Sequence, residues 1–485
     1  MMREMQFKGD STMPNETLHM KNFQEKIKAV ENNLLPAIFL QGTSPTPGNL
    51  MERLAHYQAP GVSIAVINDQ AIEWAQGYGV LQAGNATLVT PQTLFQAASI
   101  SKPVAAMAAL HLVQSGQLDL DSDVNQVLRS WKVPENEHTR ASPVTLRGLL
   151  AHSAGLTVSG FMGYAAGEDV PTLRQVLDGE GPANSDPIRV DVVPGSQFRY
   201  SGGGYTVMQQ LLVDVTGQPF PQLMQEIVLD EIGMRHSTFE QPLPQAYTAQ
   251  AASGHRPCAK PMVGQWHTYP EMAAAGLWTT PSDLARFAIE LLRSRVGQSN
   301  QVLSADMARL MLTLQVADFY GLGLELKDLN GSTRFSHPGW NEGYRGFMFA
   351  YTGSGQGAVV MTNVDDGQDL ALEIVRGIAR VYDWPDFHLQ EKALAHVAPG
   401  IYDAYAGQYQ YVDYPDYGIL VTRQGERLFM RGLPEGRSVE LWPESETHYF
   451  VVESGAGMTF LRDAAGEVHE VEMGEGEKLK RSGVV

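Results

Sequence analysis

The chain has one cysteine, Cys258, in 485 residues. An intramolecular disulfide and a cysteine-rich zinc site are both excluded, and beside Pro257 in a loop Cys258 reads as an ordinary small side chain rather than a nucleophile. Positive charge is also scarce: 35 lysines and arginines stand against 54 aspartates and glutamates, a net charge of −19. Such a surface repels phosphate backbones and anionic membranes, so no nucleic-acid partner is expected. Long apolar runs are missing too. The longest early patch, Ala37 to Leu40, is too short for a signal-peptide core, and no run approaches the roughly 18 apolar residues of a membrane span. The sequence as it stands therefore reads as soluble and cytoplasmic, with a periplasmic or secreted location the alternative if a native export signal was removed. Two catalytic motifs are lacking as well. No Gly-x-Ser-x-Gly surrounds any serine, and no His-Glu-x-x-His or comparable metal cluster occurs, so neither that kind of serine triad nor a metal or other cofactor is expected.

What the chain does contain is 43% hydrophobic and 18% charged residues, the balance of a folded globular protein with a large core. Residues 1–18 form a polar lead-in. Phe23, Ile27, Val30 and Leu34 recur at helical spacing, and a short helix is expected at Leu50 to Tyr57. Gly61 to Ile67 and Ala71 to Tyr78, joined by Asn68-Asp69-Gln70, read as a β-hairpin. From Gly321 to Asn363 the period is two, predicting four strands, and Leu370 to Tyr382 supplies a helix to pack on them. Beyond Pro399-Gly400, seven short runs rich in aromatic and β-branched residues follow between Gly407 and Met473, which is the signature of a small all-β barrel or sandwich. The organisation expected is a main α+β domain over 19–385, a linker over 386–401 and a small barrel over 402–485.

Phe95 to Gly116 organises the functional reading. Met107, Leu110 and Val113 predict a helix ended by Gly116, and Pro103 fits only in its first turn, so the helix is expected to begin at Ser99. Ser99 and Lys102, three apart, then share a face, a hydroxyl beside an amine. Alone this spacing is a weak signal, since an N-capping serine and a surface lysine share it. Two other segments add to it. Phe198 to Tyr205 (FRYSGGGY) is a glycine-rich turn feeding a helix, unlike a phosphate loop, and holds Tyr200 just ahead of that helix. His337-Pro338-Gly339 lies in the strand region. His152, after Leu149, Leu150 and Ala151, reads as a packed structural histidine. The loop from Gln241 to Pro270 is expected to shape the entrance to the site.

Ser99-x-x-Lys102, Tyr200-Ser201-Gly202 and His337-Pro338-Gly339, in this order, resemble the three motifs of the serine β-lactamase and penicillin-binding protein superfamily. The likeness is to its branch of class C β-lactamases, D-stereospecific peptidases and β-lactamase-like esterases. It extends through LLAHSAGL (149–156), EIGMRHST (231–238), GLWTTPSDLARF (276–287) and HPGWNEGYRGF (337–347). The resemblance implies an antiparallel sheet flanked by helices, a helical subdomain and a C-terminal lipocalin-like β-barrel. It implies Ser99 as an acylated nucleophile, Lys102 or Tyr200 as its base, and His337 in place of the usual third-motif lysine. The N–H groups of Ser99 and Trp340 would make the oxyanion hole, with Gly339 and Gly202 against the substrate. Gly202 replaces the family's asparagine, which counts against efficient β-lactam hydrolysis. The expected partner is a small ester, a D-amino-acid amide or peptide, or a β-lactam. The alternatives are a β-lactamase with weak β-lactam turnover and a penicillin-binding or sensing module that stays acylated, and a homo-oligomer is compatible with each.

Overall fold

The computed structural model describes residues 15–412, 417–474 and 476–483. It is an α+β protein with one mixed unit and one all-β unit. The central sheet has six antiparallel strands: β1 (Gly61–Asn68), β2 (Ala71–Gly79), β3 (Glu325–Leu329), β4 (Ser332–Asn341), β5 (Tyr344–Tyr351) and β6 (Gly357–Thr362). Their spatial order is β2-β1-β6-β5-β4-β3, so strands from the start of the chain pair with strands made some 290 residues later.

Both faces of the sheet are covered, which is why β1 and β5 read as nearly continuous apolar runs. Val62, Ile64 and Val66 face one core with Phe349 and Val360, and Ala65 and Ile67 face the other with Met348 and Val359. The first core is closed by α1 (Asn15–Glu31) and α5 (Gly367–Tyr382), whose Leu370, Ile374 and Ile378 recur every four residues toward the strands. The second takes in α2 (Ser101–Gln114), α3 (Gly202–Thr216) and α4 (Pro281–Arg295). Helix α2 is buried on every side over Ser101–Leu110 and mainly apolar there, and its Ala105, Ala106, Ala108 and Ala109 permit close approach.

Three expectations needed adjustment. Helix α1 begins at Asn15, inside the expected lead-in, the first 14 residues of which lie outside the described ones. The expected linker carries a short strand, Gln390–Lys392, paired in parallel with Ile38–Leu40. Helix α2 starts at Ser101, not Ser99, which lies in a preceding 3₁₀ turn, Ala98–Ile100. Pro103 is still in the first turn of α2, where no carbonyl awaits its missing N–H.

The C-terminal unit is a closed barrel of eight antiparallel strands: β7 (Gly407–Tyr411), β8 (Gly418–Gln424), β9 (Arg427–Leu433), β10 (Ser438–Pro443), β11 (His448–Phe450), β12 (Gly457–Arg462), β13 (Val468–Met473) and β14 (Glu477–Gly483). Strand β14 lies beyond the seven expected runs and has little sequence signal, since Leu479 is its one core side chain. The barrel has its own core, in which Tyr405 stacks on Phe460 with ring centroids 4.0 Å apart. It is tied to the sheet unit through Ala37 and Ile38, whose N–H groups donate to the carbonyls of Glu453 and Val452 at 3.0 and 3.1 Å. Among the described residues, no helix is long and apolar enough to cross a membrane, and no cluster of His, Cys, Asp and Glu has metal-site geometry.

Candidate active site

The 3₁₀ turn carrying Ser99 is strained: Ala98, immediately before it, has φ +51°, a left-handed conformation costly for a residue with a Cβ. Gly339 on β4 packs against this turn. A Cβ there would collide with the Ala97 carbonyl oxygen, so the glycine is required by contact with the protein's own backbone. This differs from the expectation that it leaves room for substrate.

Lys102 is buried, with Nζ 2.8 Å from Ser99 Oγ and donating to the Ala274 carbonyl at 3.0 Å. Nζ also lies 4.9 Å from the centre of the Tyr200 ring. Burial without an anionic partner disfavours the ammonium and lowers its pKa from 10.5 to about 7. Burial acts oppositely on Tyr200: it penalises the phenolate and pushes the phenol's pKa well up, with a hydrogen bond to Ser99 pulling weakly the other way.

Tyr200 is held from two sides. Ser201 caps α3, its Oγ accepting the Gly204 N–H at 2.9 Å and donating to Thr157 O at 2.8 Å. Behind Tyr200 stands His152, ring centroids 4.2 Å apart, accepting the Ser201 N–H on Nδ1 at 3.0 Å. His152 is packed, as its sequence context suggested, and buried with its pKa driven well down by desolvation and then by Lys102.

Gly202 is not brought into the cleft. Its N–H donates to Ser159 O at 3.0 Å, and a Cβ would meet Phe161 and that same carbonyl, so the segment 157–161 occupies the direction a side chain would take. The glycine run serves backbone packing. A side chain at position 202 would therefore face this segment rather than the cavity that holds Ser99.

His337 lies inside β4, fully buried and neutral, its pKa lowered to about 3 first by desolvation and then by the field of Lys102. Its Nδ1–H donates to Pro338 O at 2.6 Å, leaving Nε2 to accept from Tyr320 Oη at 3.3 Å. Nothing in the sequence marks Tyr320 among the other tyrosines. Pro338 fits this strand because of register. The Thr352 N–H donates to Thr333 O, and counting along the antiparallel ladder makes 338/347 and 340/345 the non-hydrogen-bonded pairs. Backbone groups of 338 and 340 therefore face away from β5, where β3, ending its pairing at Ser336, no longer covers them. Pro338 forfeits no ladder bond, and the Trp340 N–H faces the uncovered edge of β4. The Trp340 ring is 71% exposed and stacks on the Arg345 guanidinium at 4.4 Å.

Ser99, Tyr200, His337, Gly339 and Trp340 line one cavity of about 640 Å³. The long loop from Gln241 to Pro270 packs through Gly254 and Met262 against Gly343 in the β4–β5 turn, and its His255 donates from Nδ1 to Asn363 O after β6 and accepts the Ala83 N–H on Nε2.

Residues 48–381 match the beta-lactamase family. The chain belongs to that family. Among curated relatives, penicillin-binding protein 4 of Amycolatopsis lactamdurans is 27% identical over 321 residues, covering 63% of this chain and 81% of that one. Esterase EstB of Burkholderia gladioli is 28% identical over 305 residues, covering 56% and 70%. Two further relatives are spanned over only 43% and 35% of their length. The fold is shared with D-amino acid amidase from Ochrobactrum anthropi SV3, with a TM-score of 0.55, 19% identity, and coverage of 75% of this chain and 98% of that one. A beta-lactamase-fold serine hydrolase is the class these findings support.

Proposed function

We propose that the protein hydrolyses small carboxylic esters or D-amino-acid amides through an acyl-enzyme on Ser99. The observation that carries this reading is the contact between Ser99 Oγ and Lys102 Nζ at 2.8 Å, with the amine's pKa lowered to about 7. A neutral Lys102 gives an N–H to Ala274 O and turns its lone pair to the serine, so it accepts the Ser99 proton as Oγ attacks the carbonyl carbon. Tyr200, whose phenol stays protonated near neutrality, relays a proton to the departing alcohol or amine. The N–H groups of Ser99 and Trp340 hold the developing oxyanion, a type of contact worth about 3–4 kcal/mol per donor in other hydrolases. Water then attacks the acyl-enzyme, losing its proton to the same amine. His337, with both nitrogens engaged inside the protein, serves as a neutral wall.

The names of the relatives, an esterase and a penicillin-binding protein, and of the shared-fold amidase support these substrate classes. We further propose that residues 19–385 form the catalytic domain and 402–485 an appended one. The test offers a chromogenic short-chain ester, a D-alanyl peptide and a chromogenic cephalosporin to the protein and to Ser99→Ala, with intact-mass detection of the acyl adduct. Turnover of ester or D-peptide that vanishes in Ser99→Ala is expected. A stoichiometric adduct without turnover would favour the sensing reading, and undiminished turnover in Ser99→Ala would remove the serine mechanism.

A further inference from the structure

The cavity that holds Ser99 does not end within the sheet unit. Its far side is made by the barrel: Met430 on β9, Val439 on β10, and Val451, Ser454 and Ala456 between β11 and β12. Met430 and Val439 are directly opposite in the β9–β10 ladder, and so are Leu428 and Leu441 two residues along. Side chains two apart in a strand share a face. Leu428 and Leu441 belong to the barrel's buried core, so Met430 and Val439 point to the same interior, one layer nearer the end. The cavity thus runs from the serine into the mouth of the barrel.

The two arginines along the way are matched within the protein, while Glu325, Asp366 and Asp369 add carboxyl groups to the sheet-unit side of the lining. Arg437 lies 3.8 Å from Glu453 Oε1 and over the Tyr57 ring at 4.9 Å, and its backbone N–H bonds to Asp366. Arg345 faces Asp365 at 3.2 Å. What the barrel itself presents is mostly apolar, through Met430, Val439, Val451 and Ala456, with Ser454 and the internally paired Arg437 as its polar members. A volume of about 640 Å³ lies within the range of small-molecule sites and is much larger than an acetyl group requires.

We propose that the barrel mouth is the specificity pocket of the enzyme and receives an apolar substituent of the substrate, an alkyl or aryl group several carbons from the scissile carbonyl. This rests on the reading of Ser99 given above. Met430 and Val439 are then specificity-determining residues contributed by a unit that supplies no acylating group.

The test uses the full chain, and its first arm does not require catalysis. Ser99→Ala protein is titrated by calorimetry with 4-phenylbutanamide, which extends from the acyl side, with N-(3-phenylpropyl)acetamide, which extends from the leaving-group side, and with N-methylacetamide. At least one phenylalkyl amide is expected to bind tenfold or more tighter than N-methylacetamide, and which one does so assigns the side. Val439→Trp, or Met430→Ser should the first fail to fold by circular dichroism, lowers that preference at least tenfold. In protein retaining Ser99, the ratio of kcat/KM for the phenylalkyl ester of the assigned side to that for methyl acetate falls by the same factor. Equal binding of all three amides, or a preference untouched by a folded wall variant, overturns the barrel-mouth pocket. Loss of the Ser99 mechanism would appear separately, as undiminished turnover by Ser99→Ala.

Discussion

The two walls of the cavity are built on opposite principles. On the Ser99 side, polar groups are buried against cost: a lysine without an acid beside it, two histidines held neutral, and a left-handed alanine ahead of the serine. On the barrel side, side chains follow an ordinary two-residue period, and Met430 and Val439 continue a ladder that any small barrel contains. The first wall concentrates reactivity in a few atoms and tolerates little. The second spreads apolar contact over several residues, so sequence can vary there with graded effects on binding.

The comparison can be broken most directly at Lys102. Lys102→Met removes the base in the proposed mechanism and is expected to lower kcat/KM by about 10²–10⁴-fold with the melting temperature held or raised, because a buried amine is replaced by an apolar chain of similar length. A loss of activity below tenfold would show that Lys102 is not the base. In the barrel, Phe460→Ala opens a void under the stacked Tyr405 and is expected to cost about 3–5 kcal/mol in denaturant unfolding, with acylation of Ser99 retained in the protein that remains folded.

A smaller change tests the seam between nucleophile turn and sheet. Gly339→Ala drives a methyl group against the Ala97 carbonyl and is expected to cost about 1–3 kcal/mol of stability while lowering kcat more than it raises KM, since it displaces the turn that carries Ser99. The pH profile follows from the sign of the lysine shift. The active form of Lys102 is the neutral one, so kcat/KM should rise tenfold per unit of pH below about 7 and level off above it. His337, already neutral above about pH 3, should add no limb near its usual range. A limb appearing only in the alkaline range would instead implicate the Tyr200 phenolate. The smallest effect is expected from Tyr320→Phe, which removes the hydroxyl that bonds His337 Nε2 and should cost about 1 kcal/mol, measured by thermal unfolding.

Much of this molecule was legible from residue pattern. The hairpin of β1 and β2, the helix ended by Gly116 and the all-β character of the C-terminal unit follow from periods of two and 3.6 with glycine at the turns, because these are local preferences of the backbone. Other features had no local signal. Strand β14 was unreadable because pairing with β7 and β13, rather than its own polar composition, makes it a strand. Tyr320 gained its partner only when β4 was laid beside it.

The sequence by itself determined which groups are available for chemistry: a hydroxyl and an amine three residues apart, a tyrosine ahead of a glycine-started helix, a histidine in a strand, and no cysteine pair. Only the tertiary structure decided what those groups became. Folding around residues 101–110 stripped Lys102 of water and drew its pKa down toward 7, an effect of burial that no spacing encodes. It turned Gly202 away behind 157–161 and set Gly339 against the turn of Ser99. It also brought Met430 and Val439, more than 300 residues along the chain, to face the serine across one cavity. Reactivity depends on what surrounds an atom, and these surroundings are assembled from segments far apart in the chain.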